Sequence, residues 1–118
     1  MSPQLCWTNF RQAVLSGDQQ KLRDMTQFPL AVHGAVDGVP VQKISRDQFD
    51  ATLTKILDQP MASYEGDALI TYTMRDLVDK TKEIAAGVDK DNNEFRVGEL
   101  VFEYRGNSCK LVRAYLSE

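Results

Sequence analysis

The sequence predicts one α+β domain over residues 1–118, in which helices pack against an antiparallel sheet. Apolar residues near the start recur every three or four positions, as on one face of a helix, whereas those near the end alternate, as in strands. Hydrophobic residues make up 42% of the chain and charged residues 26%, which is the balance of a packed globular domain. A chain of 118 residues has the length of a single domain.

A helical hairpin is predicted at the start of the chain. The apolar stripe of its first helix is formed by Trp7, Phe10, Ala13 and Val14. Gly17 lies where a helix often ends in a left-handed residue, and Asp18 can cap a second, shorter helix. Phe28-Pro29 is expected to end this hairpin, because the residue before a proline disfavours helical geometry.

A strand hairpin and a third helix are predicted next. Residues 30–44 show an alternating pattern, interrupted by turn residues at Asp37-Gly38. Ser45 and Gln48 stand at the spacing of a capping box, which satisfies free backbone amides at the start of a helix. The apolar face of that helix is formed by Phe49, Leu53, Ile56 and Leu57.

Residues 64–88 allow two interpretations. A short helix capped within 73–76 is the preferred prediction, although 69–72 alone would pass as a strand. A further strand is predicted over 84–88, followed by a polar loop over 89–93.

The last third of the sequence has the clearest strand pattern. Phe95 and Val97 lie on one alternating phase, and the apolar phase changes after Gly98, where Leu100, Phe102 and Tyr104 follow. A phase change at a glycine predicts a β-bulge, which bends and twists a sheet. Gly106-Asn107 predicts a two-residue turn into a final strand over 109–116.

Composition disfavours several classes of function. The formal net charge of −3 predicts no general attraction to nucleic acid or to an anionic bilayer. No apolar run approaches the roughly 20 residues that a membrane span requires. The single histidine, the two cysteines and the spacing of the acidic residues predict neither a metal site nor a cofactor.

Cys6 and Cys109 leave two alternatives open. A disulfide between them would close nearly the whole chain and stabilise it by about 4–5 kcal/mol through loop entropy. Otherwise they are two separate, buried apolar residues, and the mass of the unreduced protein distinguishes the two cases. The compartment is equally open: the chain is cytoplasmic if Met1 is its native start, and a mature exported segment if Met1 is a replacement.

The predicted order of helices and strands resembles that of a known superfamily. The residues that carry the resemblance are Phe10-Arg11-Gln12-Ala13 with Gly17-Asp18, Phe28-Pro29-Leu30, 97–102 and 110–115. They resemble the nuclear transport factor two-like superfamily, and within it a branch of small bacterial proteins often made with a signal peptide. The resemblance implies helices packed in the concave face of a strongly bent antiparallel sheet, a cone-like shape. It also implies a homodimer formed through the sheet and, from the signal peptides of that branch, export to the periplasm.

The enzymes of this superfamily work inside the cone, so the resemblance directs attention to polar side chains on the sheet. His33 is the side chain best suited to a general base near neutral pH, although its phase points away from the predicted core. Tyr104 and Tyr115 could direct a hydroxyl into the mouth of the cone, or could pack their rings at the rim of the core. Tyr115 shares the phase of Leu111 only if no bulge intervenes.

Arg96 and Arg113 are the candidate ligand-binding residues. They lie on two strands that are expected to pair, where they could bind a carboxylate or a phosphate together. The alternative is that they form cross-strand ion pairs with Glu99 or Glu103.

Three hypotheses of function follow. The leading one is a non-catalytic module that binds a small apolar ligand or a protein partner through the cone or the exposed face of the sheet. The second is a cofactor-independent isomerase or dehydratase, which requires an open cavity with an inward carboxylate, histidine or tyrosine. A cone filled by Phe10, Phe49, Leu53 and Phe102 would remove that alternative. The third, an exported accessory protein of an envelope assembly, follows from the resemblance alone.

Overall fold

The computed structural model describes residues 2–34, 38–84, 88–89 and 92–117. Within them the elements follow in the order α1 (Pro3–Ser16), α2 (Gln19–Asp24), β1 (Thr26–His33), β2 (Gln42–Ile44), α3 (Arg46–Asp58), β3 (Pro60–Glu65), β4 (Ala68–Thr73), α4 (Met74–Lys80), β5 (Val88–Asp89), β6 (Glu94–Val97), β7 (Leu100–Arg105) and β8 (Ser108–Tyr115). This mixture of helices and strands confirms the α+β prediction.

The strands of the described residues form two separate sheets. The larger is six-stranded, in the order β2-β1-β8-β7-β6-β5, and the smaller contains β3 and β4. The larger sheet is mixed rather than antiparallel, because β1 and β8 run parallel. The prediction was wrong for this pair since alternation marks a strand but carries no information about the direction of a partner distant in the chain. The other neighbouring strands are antiparallel.

Apolar side chains fill the space between the helices and the large sheet. Phe102 is fully buried near the middle of this core, with its ring 4.8 Å from that of Phe10 and 4.7 Å from that of Phe95. Trp7 approaches the same ring edge-on at 5.9 Å. Helices α1 and α3 contribute the stripes that their spacing predicts, and the buried residues of α3 are Phe49, Leu53, Ile56 and Leu57. Burial of these faces is the main stabilising contribution to such a fold.

The predicted end of α1 and the predicted starts of α2, α3 and α4 are confirmed. Gly17 follows α1 with a φ of +73°, and the Asp18 side chain accepts a hydrogen bond from the Lys21 amide at the start of α2. Capping boxes begin α3 and α4, at Ser45 and Thr73. None of the helices in the described part of the chain is long and apolar enough to cross a membrane.

The end of the helical hairpin lies earlier than predicted. Helix α2 ends at Asp24 and β1 already begins at Thr26, so Phe28-Pro29 lies inside a strand. The residue before a proline is restricted to extended backbone, and this restriction fits a strand as well as a helix end. The pairing of β1 with β8 is irregular between Thr26 and Ala31, which is where a strand can accommodate a proline.

Both structures considered for residues 64–88, the strand and the short helix, are present in neighbouring segments. Residues 68–73 form β4, and α4 follows directly from its cap at Thr73. Strand β3 has no counterpart in the prediction. Part of the predicted strand over 84–88, part of the loop over 89–93 and Asp37 of the predicted turn lie outside the described residues, and within them β5 covers Val88–Asp89.

Gly98 is a turn residue and not the centre of a bulge. Val97 and Leu100 are cross-strand partners, so Gly98 and Glu99 form the turn that joins β6 to β7, and Gly98 has a φ of +51°. The apolar phase changes because the chain reverses direction there. The register shift between antiparallel strands lies elsewhere in the described part of this sheet, between Val101 and Phe102 of β7 where they face β8. The turn predicted at Gly106-Asn107 is confirmed between β7 and β8.

Candidate functional site

A cleft of about 200 Å³ opens between the end of α4, the segment that follows it and the turn between β6 and β7. Its lining residues are Leu77, Thr81, Glu83, Ile84, Arg96, Val97 and Gly98. Ile84 and Val97 are almost completely buried, so they form an apolar floor, whereas Glu83 and Arg96 are charged and lie at the surface. The cleft therefore combines an apolar interior with charges at its rim.

Gly98 sets how closely the turn approaches α4. A Cβ atom at this position would lie 2.5 Å from Cδ2 of Leu77 and 2.6 Å from Sδ of Met74. Its positive φ adds a second reason for glycine, because L side chains rarely adopt that conformation. The shape of the cleft floor thus depends on the missing side chain.

Helix α1 holds the wall of the cleft in place. Nε2 of Gln4 donates a hydrogen bond to the Lys82 carbonyl at 2.7 Å, and Oε1 accepts one from the Ile84 amide at 3.2 Å. The indole Nε1 of Trp7 donates to the Thr81 carbonyl at 2.6 Å. A segment that belongs to neither a helix nor a strand is thereby fixed through side chains, which satisfy backbone groups that no ladder pairs.

Arg11 extends the same row of contacts to the end of α4. Its Nε donates to the Val78 carbonyl at 3.1 Å and its Nη2 to the Asp79 carbonyl at 2.6 Å, where the last carbonyls of a helix have no intrahelical partner. Gln4, Trp7 and Arg11 follow at spacings of three and four residues, so they lie along one face of α1. The helical spacing predicts that Trp7 lies in the core, but it does not reveal the hydrogen bond of its indole N–H.

Arg96 lies at the rim of the cleft with half of its side chain exposed. Its Nε donates to the Gly98 carbonyl at 2.7 Å, and its Nη2 lies 3.6 Å from Oε1 of Glu99. The guanidinium carbon lies 4.5 Å from the centre of the Tyr115 ring, a cation–π distance. These contacts hold the guanidinium in one orientation and leave it accessible from the solvent.

Arg113 is half-buried and pairs with Glu94. Its two terminal nitrogens donate to the two carboxylate oxygens of Glu94 at 3.0 and 2.9 Å. These hydrogen bonds raise the pKa of the Arg113 guanidinium, partial burial opposes the rise, and Tyr115 contributes to it. Arg113 does not line the cleft.

The two arginines do not lie on paired strands, which was the arrangement expected for a joint anion site. Strands β6 and β8 are not neighbours, since β7 lies between them, and both arginines align with Val101 from opposite sides. The alternative of ion pairing describes Arg96, which approaches Glu99, whereas Arg113 pairs with Glu94. Glu103, the other predicted partner, pairs with Arg105 at 3.0 Å.

His33 and Tyr115 lie on the face of the sheet that is turned away from the helices. They are direct partners in the pairing of β1 with β8, and their rings are 5.1 Å apart. Tyr115 does not share the phase of Leu111, because the register shift between β7 and β8 places an additional residue of β8 between them. Neither ring lines the cleft.

Tyr104 lies at the edge of the core. Its ring is 6.3 Å from that of Phe95, and the residue is half-buried beside the core cluster. This position matches the alternative of a ring packed at the rim of the core, with no part in the lining of the cleft.

A disulfide joins Cys6 of α1 to Cys109 of β8, with a Cα–Cα distance of 6.0 Å. Both residues are buried in the core. The bond thus ties the helix that holds the cleft wall to a central strand of the large sheet.

Comparison with known proteins yields no family. No protein-family model matches the chain, and no curated protein matches it. Among the described residues, no group of three or more histidine, cysteine, aspartate or glutamate side chains is placed to hold a metal ion. The functional proposal therefore depends on the geometry of the cleft.

Proposed function

We propose that this chain is a non-catalytic binding module whose cleft accepts a small apolar ligand that carries a carboxylate. The observation that supports this function is the apolar floor formed by Ile84 and Val97, with the side chain of Arg96 at its rim. Ligand sites in proteins are usually apolar depressions lined with a small number of polar groups. A guanidinium provides paired N–H donors that match the geometry of a carboxylate.

The size of the cleft restricts the ligand. At about 200 Å³ it is smaller than a typical pocket for a drug-sized molecule, which measures roughly 300–1,000 Å³. A short acyl chain, or one apolar side chain at the carboxyl end of a protein partner, has the appropriate size and charge. Both share the chemistry of an apolar group attached to a carboxylate.

The packing of the interior favours binding over catalysis. The four side chains expected to fill the space between helices and sheet are all buried: Phe10, Phe49, Leu53 and Phe102. His33, Tyr104 and Tyr115, the candidate acid–base groups, lie outside the cleft lining. The alternative of an isomerase or dehydratase thus has no supporting observation among the described residues.

We also keep membership in the nuclear transport factor two-like superfamily, with its strongly bent sheet, as a proposal. Its support is the order of elements, in which two helices, a strand pair and a third helix precede the long strands β7 and β8. The angle between the strands at the two ends of the large sheet would test it, and residual dipolar couplings in solution report that angle. A homodimer through the exposed face of this sheet is part of the same proposal.

Titration followed by amide NMR tests the function with three probes of equal chain length: hexanoate, hexylamine and hexan-1-ol. Hexanoate should bind best and should shift the amide signals of Leu77, Ile84, Val97 and Gly98, because those residues line the cleft. Hexylamine binding more tightly than hexanoate would contradict the assigned charge. Shifts centred elsewhere, or none at millimolar hexanoate, would contradict the site.

Substitutions distinguish the effect of the Arg96 charge on hexanoate binding from the effect of surface charge in general. Arg96→Gln should weaken hexanoate binding about tenfold, since a hydrogen bond to a charged group contributes about 1.5–3 kcal/mol and this one is partly exposed. Arg105→Gln is the matched control, because Arg105 lies outside the cleft and is largely exposed. Glu99→Gln should strengthen binding, since it removes the carboxylate that competes for Arg96.

A further inference from the structure

The hairpin of β3 and β4 lies largely outside the packed core, against which Met61 of β3 packs. Its two strands pair over six residue pairs, from Pro60 with Thr73 to Glu65 with Ala68, and neither strand pairs with the large sheet. None of its twelve strand residues is buried. Tyr64 and Leu69 are direct cross-strand partners, yet they are 74% and 56% exposed. An isolated two-stranded hairpin is marginally stable in water, so this one would gain from a further strand.

The open edge of β4 can be assigned residue by residue. The Met74 amide donates to the Gln59 carbonyl, which extends the hairpin ladder by one hydrogen-bonded pair. Because hydrogen-bonded pairs alternate in an antiparallel ladder, the N–H and C=O groups of Leu69, Thr71 and Thr73 point away from β3. The Thr73 amide agrees with this assignment, since it donates outward to the Asp76 carboxylate. Leu69 and Thr71 therefore present the open groups.

The two edges of the hairpin differ in how readily they would pair with a further strand. Strand β3 carries Pro60, which lacks an N–H, and Glu65, which carries a charge. Such residues protect a strand edge from pairing. Strand β4 has the sequence ALITYT, with no proline and no charged residue, and within the described chain no hydrogen bond covers Leu69 or Thr71 on this side.

We propose that the β4 edge pairs antiparallel with β4 of a second copy of this chain. With Ile70 on the two-fold axis, Leu69 of one copy lies opposite Thr71 of the other. Each such pair can exchange two backbone hydrogen bonds, because both residues present outward groups, so the contact forms four. Two uncharged strands meet without repulsion, which is why a second copy fits this edge.

Assembly through the hairpin closes after two copies. Pairing through β4 places β3 at both outer edges of the new four-stranded sheet, where Pro60 and Glu65 oppose further addition. The same surface is used by both copies, as in other two-fold dimers. This dimer uses the hairpin, whereas the superfamily resemblance points to the large sheet, and neither contact uses the ligand cleft.

Sedimentation equilibrium of the full chain from micromolar to millimolar concentration tests the proposal. A dimer is expected, and T71P should weaken it about tenfold or more, because proline removes an outward N–H without removing a hydrogen bond inside the hairpin. A62P is the matched control: Ala62 pairs with Thr71, and its N–H points outward from the β3 edge, so the dimer should persist. Circular dichroism verifies that both variants fold.

A second pair of variants uses charge in place of proline. I70K would place two like charges beside the two-fold axis and should also dissociate the dimer. S63K puts the same charge on the cross-strand partner in β3 and should leave the dimer intact. Hydrogen exchange of the Leu69 and Thr71 amides should slow as protein concentration rises.

Three results would overturn the proposal. One is a monomer at millimolar concentration, and another is a dimer that T71P and I70K leave unchanged. The third is a dimer broken by A31E but not by T71P, since Ala31 lies beside Arg113 in the pairing of β1 with β8, on the large sheet.

Discussion

The large sheet and the β3–β4 hairpin use the same hydrogen-bonded ladders but differ in what covers them. In the large sheet the ring of Phe102 is fully buried among Phe10, Phe95 and Trp7. In the hairpin Tyr64 faces solvent across from Leu69. A hydrogen-bonded ladder alone therefore does little to stabilise a strand pair. Burial stabilises one region, and the other keeps its edge and its apolar side chains available for a partner.

The largest expected contrast between the regions comes from truncating one aromatic residue in each. Phe49→Ala should lower the free energy of unfolding by about 3–5 kcal/mol, because it empties a fully buried position against Phe28. Tyr64→Ala should change it by less than about 0.5 kcal/mol, since the ring is exposed. Urea denaturation of dilute protein measures both. Equal losses would mean that the hairpin is packed as firmly as the core.

A smaller difference in stability is expected between substitutions at two glycines. Gly98 lies in a turn packed on α4, and Gly106 lies in a turn with open space around it. Gly98→Val should cost about 2–4 kcal/mol, since it adds a close contact with Leu77 and Met74 to the strain of a positive φ. Gly106→Val is the control, because Gly106 has a φ of +53° and a Cβ there meets no atom within 4 Å. It should cost only about 1–2 kcal/mol. Thermal unfolding giving equal costs would show that the approach to α4 is unimportant.

The same contrast explains which elements could be predicted from the sequence. Helices α1 and α3 are readable because one face of each is buried and the apolar residues must recur at the helical period. Strand β3 was missed because neither of its faces is buried, so no alternation marks it. The need for a glycine at Gly98 was predicted correctly, but its role was not, since a hairpin turn and a bulge both change the apolar phase.

The candidate site was predictable only in part, because its parts are distant in sequence. Arg96 was identified from its strand, and its place beside the cleft depends on segment 81–84, which follows α4. That segment is held by side chains of α1, and the contact of Trp7 with Thr81 joins residues 74 positions apart. No local pattern encodes such a contact. The open edge of β4 could not be predicted from the sequence either, because it is defined by the absence of a neighbouring strand.

The smallest predicted effect concerns the start of α4, where the chain leaves the β3–β4 hairpin. Hydrogen bonds from the Thr73 amide and then from its hydroxyl hold the pKa of Asp76 below its ordinary value of 3.8. The ionised carboxylate is the form that the folded state binds more strongly. Its contribution to stability is therefore complete above the unfolded-state value and is lost as the pH falls through the lower folded pKa.

Helix α3 provides the comparison for the start of α4, because its capping box uses the neutral Gln48 in place of a carboxylate. In an acid titration followed by NMR, the Thr73 amide signal should move with the ionisation of Asp76, at a pH below 3.8, while the Ser45 amide signal should not. Asp76→Asn should abolish the movement at Thr73, and Thr73→Ala should bring the pKa of Asp76 back toward its ordinary value. If the Thr73 signal titrated unchanged in Asp76→Asn, another carboxylate would have to be responsible, and the start of α4 would not depend on this pair.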